Sequence, residues 1–160
     1  MFRIAALLLT VAVSATGCGN WVESTERVGR IGATLDDAGN LVLVVAPCSK
    51  GTAKVLIARG RTPDMPDDQV NETVGEWTAQ EATDQQSSLN LGFPSLGWEG
   101  DAVEAPDDGE LWIVDGTFVD EEDSILSGPS LTRQELDNLA PGELLTESGP
   151  EGRTEFDGRC

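Results

Sequence analysis

The strongest pattern along the chain is the run Leu41-Val42-Leu43-Val44-Val45-Ala46, closed by Pro47-Cys48. Outside the N-terminus it is the most apolar stretch, and its density of β-branched residues predicts a central buried strand. Upstream, residues 28–35 alternate. Ile31, Ala33 and Leu35 share one face while Arg30 and Thr34 share the other, as in a strand with one buried side. Gly29 and Gly32 within it signal a bulge or a close approach of backbone. Asp36-Asp37-Ala38-Gly39-Asn40 supplies turn chemistry, so 28–35 and 41–46 are expected to form a hairpin. Further strands are predicted at 53–59 with Val55 and Ile57 inward, at 72–80 around Val74 and Trp77, and at 88–93 with Leu89, Leu91 and Phe93 in phase. Others follow at 111–119, 124–127 and 143–147, and 111–119 is expected to lie beside 41–46.

One helix is predicted, at 133–139. Thr132-Arg133-Gln134-Glu135 reads as a capping box, Leu136 and Leu139 fall on one helical face, and Pro141-Gly142 stops the helix. Residues 153–158 fit either a last strand or a short turn of helix, with Phe156 inward in both cases. Two long loops interrupt the strands, at 60–71 and 94–110. Ordered loops of that length are often functional. Leu96 and Trp98 in the second form either an exposed anchor for a partner or a lid folded onto the core. Leu139-Ala140-Pro141-Gly142 resembles the turn before a late strand in fibronectin-like sandwiches, although the Tyr that follows it there has no counterpart here. The expected fold class is therefore mainly β: an antiparallel β-sandwich, immunoglobulin- or fibronectin-like, with one short helix near the C-terminus.

The N-terminus carries a different signal. Met1-Phe2-Arg3 is a short positive start, and residues 4–13 are apolar except for Thr10. A membrane-spanning helix needs ~20 such residues, so the run fits a cleaved signal peptide instead. Ala15-Thr16-Gly17-Cys18 resembles the lipobox of bacterial lipoproteins, with Ala where Leu is usual. The resemblance implies cleavage before Cys18, a diacylglyceryl group on its sulfur, and an extracytoplasmic domain anchored to the cell membrane. Two acyl chains, at ~0.8 kcal/mol per buried CH₂, anchor stably without a basic patch. The chain then divides into a signal peptide at 1–17, a lipidated tether at 18–27 and one β-rich domain at 28–160. Trp21 in the tether suits either the lipid interface or the underside of the domain. With Cys18 carrying lipid, Cys48 and Cys160 are left as a pair, and an oxidising compartment favours their disulfide over two free thiols.

Charge narrows the function classes. The 160 residues hold 10 Lys and Arg against 29 Asp and Glu, a formal net charge of −19. Such a field repels phosphate, so no nucleic-acid partner is expected, and anionic headgroups are repelled as well. The acidity reads first as a solubilising surface, with a calcium-dependent fold or a basic partner as alternatives. The chain has no His and no Tyr, which removes Ser-His-Asp triads, Cys-His dyads and His-ligated zinc. Asp120-Glu121-Glu122-Asp123 lacks the spacing of a calcium loop and is expected to be a solvated turn. Lys50 and Lys54 form a small basic corner, a contact site or simply a solvated edge. No catalytic residue, metal ligand or cofactor is assigned. The expectation is a non-catalytic envelope lipoprotein that binds a protein, glycan or small ligand. A carboxylate-based hydrolase and a structural or regulatory subunit of an envelope complex are the alternatives.

Overall fold

The computed structural model describes residues 26–61, 66 and 70–157. The leader, Cys18, Trp21 and Cys160 lie outside the described residues, so Cys48 is the one cysteine among them. In chain order the elements are β1 (Glu26–Leu35), β2 (Leu41–Pro47), β3 (Ala53–Arg59), β4 (Thr73–Ala79), β5 (Ser87–Asn90) and β6 (Trp98–Glu99). Then come β7 (Leu111–Phe118), β8 (Glu121–Thr132), α1 (Arg133–Asp137), β9 (Glu143–Thr146), β10 (Gly149–Gly152) and α2 (Arg153–Asp157).

All ten strands belong to one sheet. β1 is its branching point. One edge of β1 pairs antiparallel with β2 from Gly29↔Pro47 to Leu35↔Leu41. The other edge runs parallel to β8 over its first half and meets β9 at Ala33↔Leu145. From β8 the sheet continues through β7, β3 and β4 to β6, and from β2 it continues to β5. These two flanks approach each other. The Val103 amide donates to the Leu91 carbonyl at 2.7 Å, and Gly51 and Thr83 exchange backbone hydrogen bonds at 3.2 and 2.9 Å. The result is a nearly closed, barrel-like sheet.

The mainly-β expectation therefore holds, but the two-sheet sandwich is replaced by one curled sheet. The reason is hydrogen-bonding continuity: β1, β2, β3, β7 and β8 are each bonded along both edges, which leaves no gap at which to separate two layers. The expected pairing of 41–46 with 111–119 is also corrected. β2 lies between β1 and β5, while β7 lies between β3 and β8.

Strand alternation fills the interior. Ile31 and Ala33 from β1, Leu41, Leu43 and Val45 from β2, and Val55 and Ile57 from β3 are all buried in one cluster with Val114, Phe118, Leu126 and Leu131. β2 is buried on its other face as well. There Val44 and Ala46 form a second small cluster with Leu144 of β9 and Phe156 of α2. The C-terminal segment thus lies against the outside of the barrel. Gly32 permits this, since a Cβ there would stand 3.0 Å from Leu144 and 3.1 Å from Phe156. Arg30 points to the same side. Its guanidinium makes two bonds to the Glu151 carboxylate, at 3.2 and 2.6 Å, and stands 4.5 Å above the Phe156 ring.

Local chemistry matches several sequence expectations. The Asp36 carboxylate accepts from the amides of Ala38 and Asn40 at 2.9 and 2.8 Å, and Gly39 takes a φ of 82°. These hydrogen bonds, that from the Asn40 side chain first, hold the Asp36 carboxyl below its ordinary range. The capping box at Thr132 and Glu135 is present, and α1 ends at Asp137 with Asn138 as its cap, two residues short of the predicted Leu139. Residues 153–157 take the helical alternative.

A candidate recognition groove on the barrel wall

The two residues singled out in the 94–110 loop separate. Trp98 is 7 % exposed and belongs to the core, whereas Leu96 is 100 % exposed. The lid alternative is the observed one for Trp98, which sits across from Ala79 in the β4–β6 pair. An indole held in the core presents no surface to a partner, so of the two residues only Leu96 is left exposed on the loop. Leu96 shares its loop with half-exposed Phe93, which leaves strand phase because β5 ends at Asn90. This tip lies at the barrel end that carries the 36–40 turn, where Asn90 Nδ2 donates to Asp36 at 3.0 Å. β1 enters at the opposite end. Cys48 is exposed just past β2, its amide donating to Val28 O at 2.7 Å.

The outward faces of β4, β3, β7 and β8 form a shallow groove. Lys54 and Leu56 of β3, Glu76 of β4, Asp115, Gly116 and Thr117 of β7, and Ser124 and Ile125 of β8 line it. Strand register places these side chains side by side: Leu56 faces Glu76 on one neighbour and Asp115 on the other. Asp115 in turn faces Ser127 of β8. An adjoining hollow shares Asp115 and Ile125 and adds Arg27, Ser127, Gly128 and Glu147. Glu147 arrives on the turn between β9 and β10, so the segment held by Arg30 and Phe156 also builds this rim.

The charges along the groove are arranged unevenly. Lys54 pairs with Glu76 at 2.9 Å, and Arg27 pairs with Glu147 at 2.9 Å. The carboxylate of Asp115, exposed between them, has no hydrogen-bond or ion-pair partner among the described residues. Burial pushes its carboxyl above the ordinary value of 3.8, and the charge of Glu147 adds to the shift. The hydroxyls of Thr117 and Ser124 in the groove are already engaged. Ser124 Oγ accepts from the Phe118 amide at 2.9 Å and donates to Glu121 O at 2.6 Å. Leu56 and Ile125 flank Asp115 with 36 and 39 % of their surfaces exposed.

Elsewhere the chemistry is sparse. No three His, Cys, Asp or Glu side chains come together as a metal site among the described residues. The acidic run 120–123 straddles the tight β7–β8 turn, closed by the Phe118↔Glu121 pair. Trp77, Trp98 and Trp112 are all buried, so none of them offers the groove an aromatic platform. Trp77 Nε1 donates to Asp101 O at 3.0 Å, while Trp112 Nε1 is buried without a partner among the described residues. No described helix is long and apolar enough to cross a membrane.

Sequence reasoning passed over Asp115. The signal was present: a lone carboxylate inside the apolar run Leu-Trp-Ile-Val-Asp-Gly-Thr-Phe, in phase with Ile113 and Thr117. What defines the molecule at this level is a mainly β, barrel-like domain with a charged groove on its outer wall. No protein-family model, no curated protein and no solved structure matches the chain.

Proposed function

We propose that the protein is a non-catalytic lipoprotein of the cell envelope, held to the membrane by lipid on Cys18, whose β-domain binds a partner through its outer wall. The observation that carries the binding role is the groove around Asp115: an exposed carboxylate with no side-chain partner among the described residues, set between two part-exposed apolar side chains. Leu56 and Ile125 beside it leave apolar surface open to solvent, so the wall offers a charge and apolar area together. The anchoring role rests on the lipobox-like residues that end in Cys18. The Cys48–Cys160 disulfide belongs to the same reading, because an exported domain can keep it.

Two experiments separate the parts. Mass spectrometry of the N-terminal peptide should show an acylated Cys18, and Cys18→Ser should move the protein from the membrane fraction to the soluble fraction. An unmodified cysteine removes the anchor. A photo-cross-linker at Ile125 in cells should trap a partner that one placed at Asp37 in the exposed turn does not. Equal trapping at both positions, or none at Ile125, removes the binding role.

A second reading, a carboxylate-based hydrolase, draws on the influence of Glu147 on Asp115. It would need Glu147 as an active carboxylate, and that group is tied to Arg27.

A further inference from the structure

We infer that the outer-wall groove receives an arginine or lysine side chain presented by a basic protein segment, with Asp115 as its counter-ion. This rests on the binding role proposed above but not on the lipid anchor, and it specifies the chemistry of the partner. The charges facing Asp115 are Lys54 from β3, Glu76 from β4, Arg27 from β1 and Glu147 from the β9–β10 turn. Those four form two ion pairs. The groove as a whole therefore carries one uncompensated negative charge, at its centre.

The walls select what may bring the opposite charge. Leu56 and Ile125 lie on either side of Asp115 and would cover the aliphatic stem of a long cationic side chain while its head meets the carboxylate. A bare metal ion would find one carboxylate and no ligand set among the described residues. An anion would be repelled both by Asp115 and by the net charge of −19. A glycan would find no tryptophan face among the described residues, since Trp77, Trp98 and Trp112 are internal.

The span of the groove favours a protein segment over a small amine. It crosses β4, β3, β7 and β8 and reaches Arg27 on β1. At about 4.8 Å between neighbouring strands this is about 19 Å, the length of roughly six extended residues. The ion pairs at its ends then meet the polar flanks of that segment.

The test uses the mature full chain in detergent micelles and a fluorescein-labelled hexapeptide carrying one arginine between two leucines. Matched peptides carry citrulline or glutamate in its place. Fluorescence anisotropy should show the arginine peptide binding at least about tenfold tighter than the citrulline peptide, the scale of a charge-assisted contact. Asp115→Asn should abolish that preference and Asp115→Glu should restore part of it. Asp37→Asn removes one charge from the exposed turn and should leave it unchanged. Equal binding of the arginine and citrulline peptides, an intact preference in Asp115→Asn, or an equal loss in Asp37→Asn overturns the assignment. If the Ile125 cross-linker traps a partner that lacks a basic segment, the binding role stands and the cationic ligand class fails.

Discussion

Replacing Glu151 by Ala tests whether the C-terminal segment is clamped to the barrel by a desolvated ion pair. Arg30 and Glu151 side chains are 15 and 6 % exposed, with Nη1 donating to Oε1 and Nη2 to Oε2 of the carboxylate. Removing one partner of a buried pair costs about 3–5 kcal/mol, because the remaining charge stays buried. Arg30 would keep the Phe156 ring at 4.5 Å and some access to water, which places the expected loss near the low end, about 3 kcal/mol. With a urea slope of about 1–3 kcal/mol/M, the midpoint should fall by about 1–3 M. The double variant Arg30→Met/Glu151→Leu removes both charges and should recover to within about 1 kcal/mol of wild type. Hydrogen exchange should locate the loss: amides of β9 and β10 open before those of β7 and β8. A midpoint change below about 0.5 kcal/mol in Glu151→Ala would show that the pair behaves like an exposed one, and the clamp would be refuted.

Other outcomes follow from the same geometry. Trp98→Ala should cost about 3–5 kcal/mol in a thermal melt while Leu96→Ser stays within about 0.5 kcal/mol; the reverse order would contradict the inward placement of Trp98. Trp77→Phe strands the Asp101 carbonyl, whereas Trp112→Phe removes a donor that had no partner, so the first should be worse by about 1 kcal/mol. Equal losses would indicate that a buried water serves Trp112. For Asp115, the folded carboxyl sits above the ordinary 3.8 because burial disfavours its charge. The folded state then holds the proton more tightly than the unfolded chain, so stability declines as pH rises through that window and the penalty persists at pH 7. Asp115→Asn should be more stable than wild type at neutral pH, with the difference closing as pH falls below 3.8. A difference that widens on acidification refutes the assignment.

Periodicity made the strand inventory legible, but the pairings are not local and left weaker traces. The β1–β2 hairpin could be read because its turn chemistry lies between two alternating runs. Gly128 and Pro129 punctuate β8, so the sequence predicts a strand there only over 124–127. In the structure they sit in a bulge, between Asp115↔Ser127 and Ile113↔Ser130, and the strand continues to Thr132. β10 carries the same punctuation, since Gly149 and Pro150 are turn residues by type. Pro150 is tolerated there because β10 is an edge strand, where a missing amide costs no ladder bond. The parallel β1–β8 contact had no sequence signature, since nearly a hundred residues (roughly, by element position) separate the two strands and loop entropy grows slowly with length. Asp115 was hidden for a related reason. It acquires meaning only when Leu56, Ile125 and Glu147 arrive from three other elements.

The proposed Cys48–Cys160 bridge can be argued from the same outer face. Phe156 is clustered with Ala46, two positions before Cys48, and the four residues from there to 160 reach at most ~14 Å when extended. A covalent bridge and the Arg30–Glu151 clamp would then hold one segment twice, and their effects should not add. With the bridge closed, the segment undocked by Glu151→Ala stays tethered, and its local opening is limited. With Cys160→Ser the same substitution should raise exchange in β9 and β10 further and should destabilise more than it does with the bridge closed. If adding reductant changes neither the midpoint nor the exchange of β9 and β10 in the wild type, the two sulfurs are not joined, and docking of the C-terminal segment rests on the clamp and Phe156 alone.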